Sequence, residues 1–332
     1  AEPSGALPRP AAGAAAVPPA PPWAAQVGGW LSRDAREVEA LGTLLLVALM
    51  WGSIAPLFKL LDTLQHPPDT LLALLLPNFT AFAFYLARGG LRFAAAGGPA
   101  MWGGLEVGFW FHVANLVYFV GVSRTLASNA TFLGSLSTVL VPALQAGLGT
   151  PVPAHVWAAC ASALLGCLVL AGAGAGAPPA GGGSWEGDLL CVASTLFYSV
   201  MSLRLTARAA KVDAEALAFW SKASTAALSA GTLAAAVGLG ACAPPTQGLA
   251  EAAPGELLAV AGFAVWDGAV VKGLGSLWLV GAYQAVTPSE AEVALATSPL
   301  WSLLRAVLLL GEPAGPETAV GAGLFGALVL AA

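Results

Sequence analysis

From about residue 40 onward the sequence divides into ten apolar runs, roughly 40–60, 69–88, 102–122, 125–148, 154–173, 187–206, 214–238, 264–286, 288–310 and 316–332. Runs of about 20 apolar residues match the length of a helix that crosses a bilayer, and they lack the period-two alternation of a membrane β-strand. Apolar sequence before the eighth run begins near Leu257, so that run is read either as one span or as a span with a short surface helix in front of it. The rest of the composition closes off a soluble fold. Hydrophobic residues are 58% of the chain and charged residues 9%, against about a quarter charged in soluble domains. The expectation is an all-α integral membrane protein with ten transmembrane helices. The net charge of -5 says little about partners when most of the surface faces lipid, and nothing in the chain points to nucleic acid.

The second constraint is a duplication. The stretch Val286–Trp301 continues to Leu310-Gly311-Glu312-Pro313, and Leu126–Pro142 continues to Leu148-Gly149-Thr150-Pro151. Each opens with a polar cap, runs about six helical turns and stops at Leu-Gly-x-Pro. Superposing them sets Ser128 on Ser289, Asn129 on Glu290 and Ser137 on Ser298. Trp51-Gly52-Ser53 likewise answers Phe197-Tyr198-Ser199, Asp69 answers Asp213, and Gly121 answers Gly281. Five spans per half is an odd number, so the second half enters the membrane from the opposite side: two inverted five-helix repeats, the arrangement of many secondary transporters. The expected organisation is an Ala/Pro-rich tail over 1–39, a first repeat over 40–173, a Gly-rich linker over 174–186 and a second repeat over 187–332.

The tail, with Arg9, Arg33 and Arg36, reads either as the remnant of an organellar transit peptide or as an ordinary disordered tail. Arg88, Arg92, Arg204, Arg208 and Lys211 fall on the same face as these, which makes that face cytosolic or, in a plastid, stromal. The four cysteines (Cys160, Cys167, Cys191, Cys242) form no CxxC pair and read as inert thiols rather than metal ligands or a disulfide.

Candidate solute-binding residues come from polar and aromatic groups at membrane depth. Phe111, Asn115 and Tyr118 recur at i, i+4, i+7 and share a helix face. That face is either a cavity wall or interhelical glue. His112 reads more readily as a packing residue. Glu290 completes the capping box Thr287-Pro288-Ser289-Glu290, while Glu292 has no such role and could take a proton. Glu106 opens the third run. Lys222, beside Trp220, is too deep for an ordinary interface lysine and would select anionic solutes or pair with Glu106 or Glu292. Asn129 and Tyr198 enter through the pairings between the halves. Trp51, Trp278 and Trp301 either line the path or anchor at interfaces. Lys59, Lys272 and Arg305 are expected to snorkel from helix ends, and Pro77, Pro142 and Pro299 either to loosen their spans for rocking motions or to kink them statically.

Trp51-Gly52-Ser53, Pro77-Asn78-Phe79, Gly104–Trp110, Ala127–Leu133, Gly187–Leu190 and Ser289–Glu312, in this order and spacing, resemble EamA-type proteins of the drug/metabolite transporter superfamily. The likeness runs from about Leu41 to the end and is most like the plastid members of plants and green algae. Thr150 departs from the acidic or basic residue usual at that position. The resemblance implies a multi-pass carrier in a plastid envelope, or else in a plasma or other endomembrane, moving a small organic solute by alternating access, by exchange or with protons. It implies no cofactor and no metal. No Walker motif, HExxH, Asp-rich cluster or close Ser/His/Asp set supports an enzyme. The rival readings are a scaffold that has kept the carrier fold and a membrane-embedded enzyme.

Overall fold

A computed structural model describes residues 35–95, 97–152, 184–242 and 250–311, with isolated positions between and beyond them. These residues are helical, and no strand occurs among them. In chain order the helices are α1 (Ala35–Trp51), α2 (Ile54–Leu61), α3 (Thr70–Ala95), α4 (Gly98–Val122), α5 (Ala127–Gly134), α6 (Ser137–Gly147), α7 (Trp185–Ala209), α8 (Ala214–Gly238), α9 (Pro254–Val265), α10 (Gly275–Ala282), α11 (Pro288–Leu295) and α12 (Ser298–Arg305). Two π-helical stretches, Trp266–Leu274 and Ala306–Leu310, continue α9 and α12.

Seven spans among the described residues are long and apolar enough to cross a membrane: Ala35–Leu61, Thr70–Gly90, Gly98–Val122, Asn129–Gly147, Trp185–Ala209, Pro254–Ala282 and Pro288–Leu310. A multi-pass membrane protein follows from these. The seventh expected run forms α8, but Lys222, Ser221, Ser224, Thr225, Ser229 and Thr232 keep it below the hydropathy of the others. It packs against α3 and α4 and buries Lys222 and four of these hydroxyls there. Most of the runs at 154–173 and 316–332, the tail to residue 34 and most of the linker lie outside the described residues. The eighth span is one continuous helical path beginning at Pro254, ten residues before the expected start.

Small residues let the helices approach closely, the usual means of association where lipid removes the hydrophobic drive. Gly104 and Gly108 of α4 lie against α8, where an added Cβ would come within 2.8 Å of the Leu217 carbonyl and 2.5 Å of the Ser221 carbonyl. Polar groups close other contacts. His112 bridges Ser229 (3.2 Å) and Thr232 (3.0 Å), and Asn78 donates to Ser229 at 2.7 Å. His112 is therefore a packing residue of the α3–α4–α8 contact.

The loops at the two ends are tied separately. At one end Glu106 receives both Arg204 and Arg208, and Arg88 reaches Glu215 at 2.8 Å. At the other, His66 meets Glu256 at 3.1 Å, Lys59 donates to the Ser123 carbonyl at 3.3 Å, and Thr125 donates to Asp188 at 2.5 Å. Arg88, Arg204 and Arg208, assigned to one face by loop charge, do share one end. The capping box at Thr287 and Glu290 forms as its sequence requires, the Thr287 amide donating to Glu290 at 2.9 Å.

Candidate functional site

Three of the spans are interrupted within their length, at Gly52-Ser53, Ser135-Leu136 and Ala296-Thr297, where the backbone stays right-handed helical but tightens to bonds three residues back. A break inside hydrocarbon is tolerated only where the freed backbone groups find partners or face a cavity. Each break carries its own remedy: a hydroxyl that donates to the carbonyl three residues back. These are Ser53 to Met50 (2.6 Å), Ser135 to Phe132 (2.6 Å) and Thr297 to Ala294 (3.0 Å). The second and third breaks fall at matching points of the duplicated stretch, because the residue that resumes the helix is Ser137 in one copy and Ser298 in the other. Gly52 packs on the third break; a Cβ there would lie 2.6 Å from the Ser298 carbonyl.

Around these breaks lies a cavity with about 100 Å³ of space that water could enter. The breaks themselves form much of its wall, through Trp51, Ile54, Thr131, Gly134, Ser135, Ser137, Leu295, Ala296 and Ser298. Helix α4 adds Phe111, Asn115 and Tyr118, α7 adds Tyr198 and Met201, and the chain from the first π stretch onward adds Val271, Lys272, Ser276 and Tyr283. Glu292 of α11 and Thr138 of α6 complete it. The aromatic rings are held edge-on to one another, Phe111 to Tyr198 at 5.9 Å and Tyr118 to Tyr198 at 6.4 Å between centroids. Their arrangement offers flat apolar surface with hydroxyls at the edges.

Glu292 is buried, and its carboxylate accepts only from hydroxyls. Ser137 donates to Oε2 at 2.9 Å and Ser202 to Oε1 at 2.9 Å, while Tyr283 lies 2.7 Å from Ser202 and 3.3 Å from Oε1. The donor count is satisfied if Tyr283 donates to Ser202 and Ser202 passes its own hydrogen to Glu292. The carboxylate thereby joins α6, α7 and the end of α10. Asn115 donates to the Phe111 carbonyl at 2.7 Å. One amide hydrogen is spent on the helix, and the rest of the amide is left for the cavity. The Thr138 hydroxyl has no hydrogen-bond partner among the described residues.

Lys272 stands where sequence reasoning did not place it. It is 3% exposed, lines the cavity, and its Nζ lies 2.8 Å from Asp267 Oδ2, with Asp267 0% exposed. In an α-helix a five-residue spacing turns side chains apart, but in the π stretch Trp266–Leu274 it brings them together. The irregular backbone is satisfied from neighbouring helices. Thr80 donates to the Ala264 carbonyl at 2.7 Å and Tyr85 to the Gly273 carbonyl at 3.0 Å. The expectation that Lys272 snorkels is thus corrected. Lys59 and Arg305 behave nearer to that expectation, both half-exposed, the first beside Asp62 and the second with a bond to the Trp301 carbonyl.

Of the expected solute-binding residues, Trp51, Phe111, Asn115, Tyr118, Tyr198 and Glu292 line this cavity. Glu106, Asn129, Lys222, Trp278 and Trp301 do not. Glu106 is held by two arginines at the helix end. Asn129 is half-buried on α5 away from the cavity wall. Trp278 packs against the larger apolar core, and Trp301 is exposed on the outside. Lys222 is buried as expected of a deep lysine, but it pairs with neither Glu106 nor Glu292. Its Nζ sits 4.2 Å from the centroid of the Phe111 ring, beside a second cavity of about 20 Å³. Phe111, Met201 and Ser276 line both cavities. Sequence reading missed the hydroxyls of Ser137, Ser202 and Tyr283 and the Asp267–Lys272 pair. Among the described residues no group of three or more His, Cys, Asp or Glu is placed to hold a metal ion.

No protein-family model matches the chain, and no curated protein matches it. A protein of known crystal structure superposes on 90% of this chain and 96% of its own length, with a TM-score of 0.62 and 23% identity. That likeness establishes a shared fold.

Proposed function

We propose that this protein is a secondary carrier that moves a small organic solute by alternating access, built as two inverted five-helix repeats of the EamA type and placed in a plastid envelope. The single observation that carries the reading is the cavity at the meeting of three interrupted helices, two of them broken at matching points of a duplicated stretch. Discontinuous helices around a midplane site are what a carrier uses to bind a solute and then expose it to the other side. A scaffold has no need of a polar cavity ringed by broken helices. Within this reading the rings of Trp51, Phe111, Tyr118 and Tyr198 hold the apolar part of the solute, and Asn115 and Thr138 orient its polar part. Glu292, fixed by hydroxyls alone, is a group able to exchange a proton with the solute's path.

The experiment is uptake into proteoliposomes of a mixed pool of amino acids, organic acids, nucleobases and sugar phosphates, with and without an imposed pH gradient. Saturable uptake that Trp51→Ala or Tyr198→Ala removes supports the carrier. A pool that never crosses, with wild-type protein folded in the vesicle, counts against it.

A further inference from the structure

The buried Asp267–Lys272 pair has chemistry that the carrier reading leaves unused. Lys272 faces the cavity with three donor hydrogens, and Asp267 is its only ionic partner among the described residues. The pair is poorly satisfied beyond that contact, since neither Asp267 oxygen nor Lys272 Nζ has a well-directed hydrogen bond. Replacing a buried ion pair by well-packed apolar residues is often neutral or stabilising. An ion pair set against a solute cavity through a π distortion therefore calls for a reason other than stability. Stretches of π-helix are themselves found mostly at functional sites.

We propose that Asp267 is an internal stand-in for an anionic group on the solute, and that the carried solute is a small organic acid whose carboxylate displaces Asp267 from Lys272. The inference rests on the carrier reading and names its substrate class. Displacement leaves Asp267 buried with no donor, an arrangement that a carboxylate survives only by taking a proton. The exchange balances when the acid arrives undissociated. Its O–H bond breaks, the proton passes to Asp267, and the new carboxylate pairs with the Lys272 ammonium. Anion and proton then travel together, with no net charge moved by the acid itself. Other charged and titratable groups within electrostatic reach of the pair are His112 and Tyr118 on α4, Tyr198 on α7 and Lys222 on α8. Tyr85 of α3 touches the backbone of the π stretch. Glu292, in the same cavity, already has its own hydroxyl donors. Of these groups only Asp267 loses its partner when an anion binds.

The test is calorimetric titration of the full chain in detergent with acetate, benzoate and succinate, each against its neutral amide, in two buffers of different ionisation heat. At least one carboxylate is expected to bind with uptake of about one proton per site, its amide binding about tenfold more weakly or not at all. Asp267→Asn frees Lys272. Its thermal midpoint is expected to fall, to recover on adding the carboxylate, and its proton count to drop to zero. The double variant Asp267→Asn/Lys272→Met removes both charges and so keeps the fold, and it is expected to bind no carboxylate. Amides that bind as well as acids, proton uptake that persists in Asp267→Asn, or no carboxylate binding at all would each overturn the proposal. Vesicle flux separates the two readings. Transport of neutral or cationic solutes alone removes the anion site and leaves the carrier. Carboxylate binding with proton uptake but no flux removes the carrier and leaves the anion site.

Discussion

Gly52→Ala is the substitution whose cost the structure sets most directly. The added methyl carbon would sit 2.6 Å from the Ser298 carbonyl oxygen, 2.7 Å from Trp301 Cβ and 3.0 Å from the Ser302 amide nitrogen. Two of these are backbone atoms and the third is fixed to backbone, so no side-chain rotation relieves the contact. Relief requires the first and last interrupted spans to part by several tenths of an ångström, in the range where overpacking a tight interior costs about 1–3 kcal/mol. That corresponds to roughly a 5- to 150-fold fall in the folding equilibrium constant. Gly231→Ala is the matched control, because it lies inside α8 with nothing within 4 Å of its added carbon. Helix propensity alone then acts and stabilises by up to about 1 kcal/mol. Both variants would be unfolded with sodium dodecyl sulfate in mixed micelles and followed by far-ultraviolet circular dichroism. The expected signs are opposite. Equal shifts in the two variants, or a Gly52→Ala protein as stable as wild type, would refute the claim that the breaks at residues 52 and 298 are packed in direct contact.

Three further outcomes follow from the same geometry. Glu292→Gln keeps three rotatable hydroxyls around an amide able to donate and accept, so its stability is expected within about 1 kcal/mol of wild type. Its uptake is expected to respond less steeply to an imposed pH gradient than that of wild type, the Asp267 site being intact, and a response unchanged from wild type would exclude Glu292 from coupling. Glu106→Gln breaks a half-exposed contact with Arg204 and Arg208 at the helix end, costing about 1 kcal/mol or less, with solute affinity unchanged; a shifted affinity in equilibrium binding would place Glu106 in the path after all. Lys222→Met replaces a buried cation with an apolar chain of similar reach. A higher thermal midpoint is expected with uptake retained, whereas lost uptake would make the smaller cavity part of the route.

What could be read from the sequence depended on whether regular periodicity governs a position. Phe111, Asn115 and Tyr118 were legible as one face because α4 is an unbroken α-helix, and that face does line the cavity. The Thr287–Glu290 box was legible because its chemistry is local. Lys272 was not legible, for two reasons. Starting the eighth run at residue 264 put it near a helix end, whereas the helix begins at Pro254 and leaves Lys272 well inside. Its partner, five residues back, is a neighbour only in a π stretch, which nothing in the local residues announces. The hydroxyls around Glu292 come from α6, α7 and the end of α10, so packing alone assembles them. The three interruptions were hidden in runs that look continuous by hydropathy. Their common trait, a Ser or Thr bonded back to the third carbonyl, is frequent enough in ordinary helices that it points nowhere by itself.

The length of the Pro254–Ala282 path has a consequence for the membrane around it. Its 29 residues span at most roughly 43 Å, the length at α-helical rise, up to about 13 Å more than the hydrocarbon layer of a typical bilayer. The surplus has to be absorbed by leaning, or by carrying the first turns, with Glu256 and its His66 contact, into the headgroup layer. Where the span leans, a thicker or thinner bilayer changes its tilt, and the Lys272-bearing stretch swings with it against Thr80 and Tyr85. Lipid chain length thereby becomes a control on the shape of the cavity, exerted from outside the protein and without any ligand.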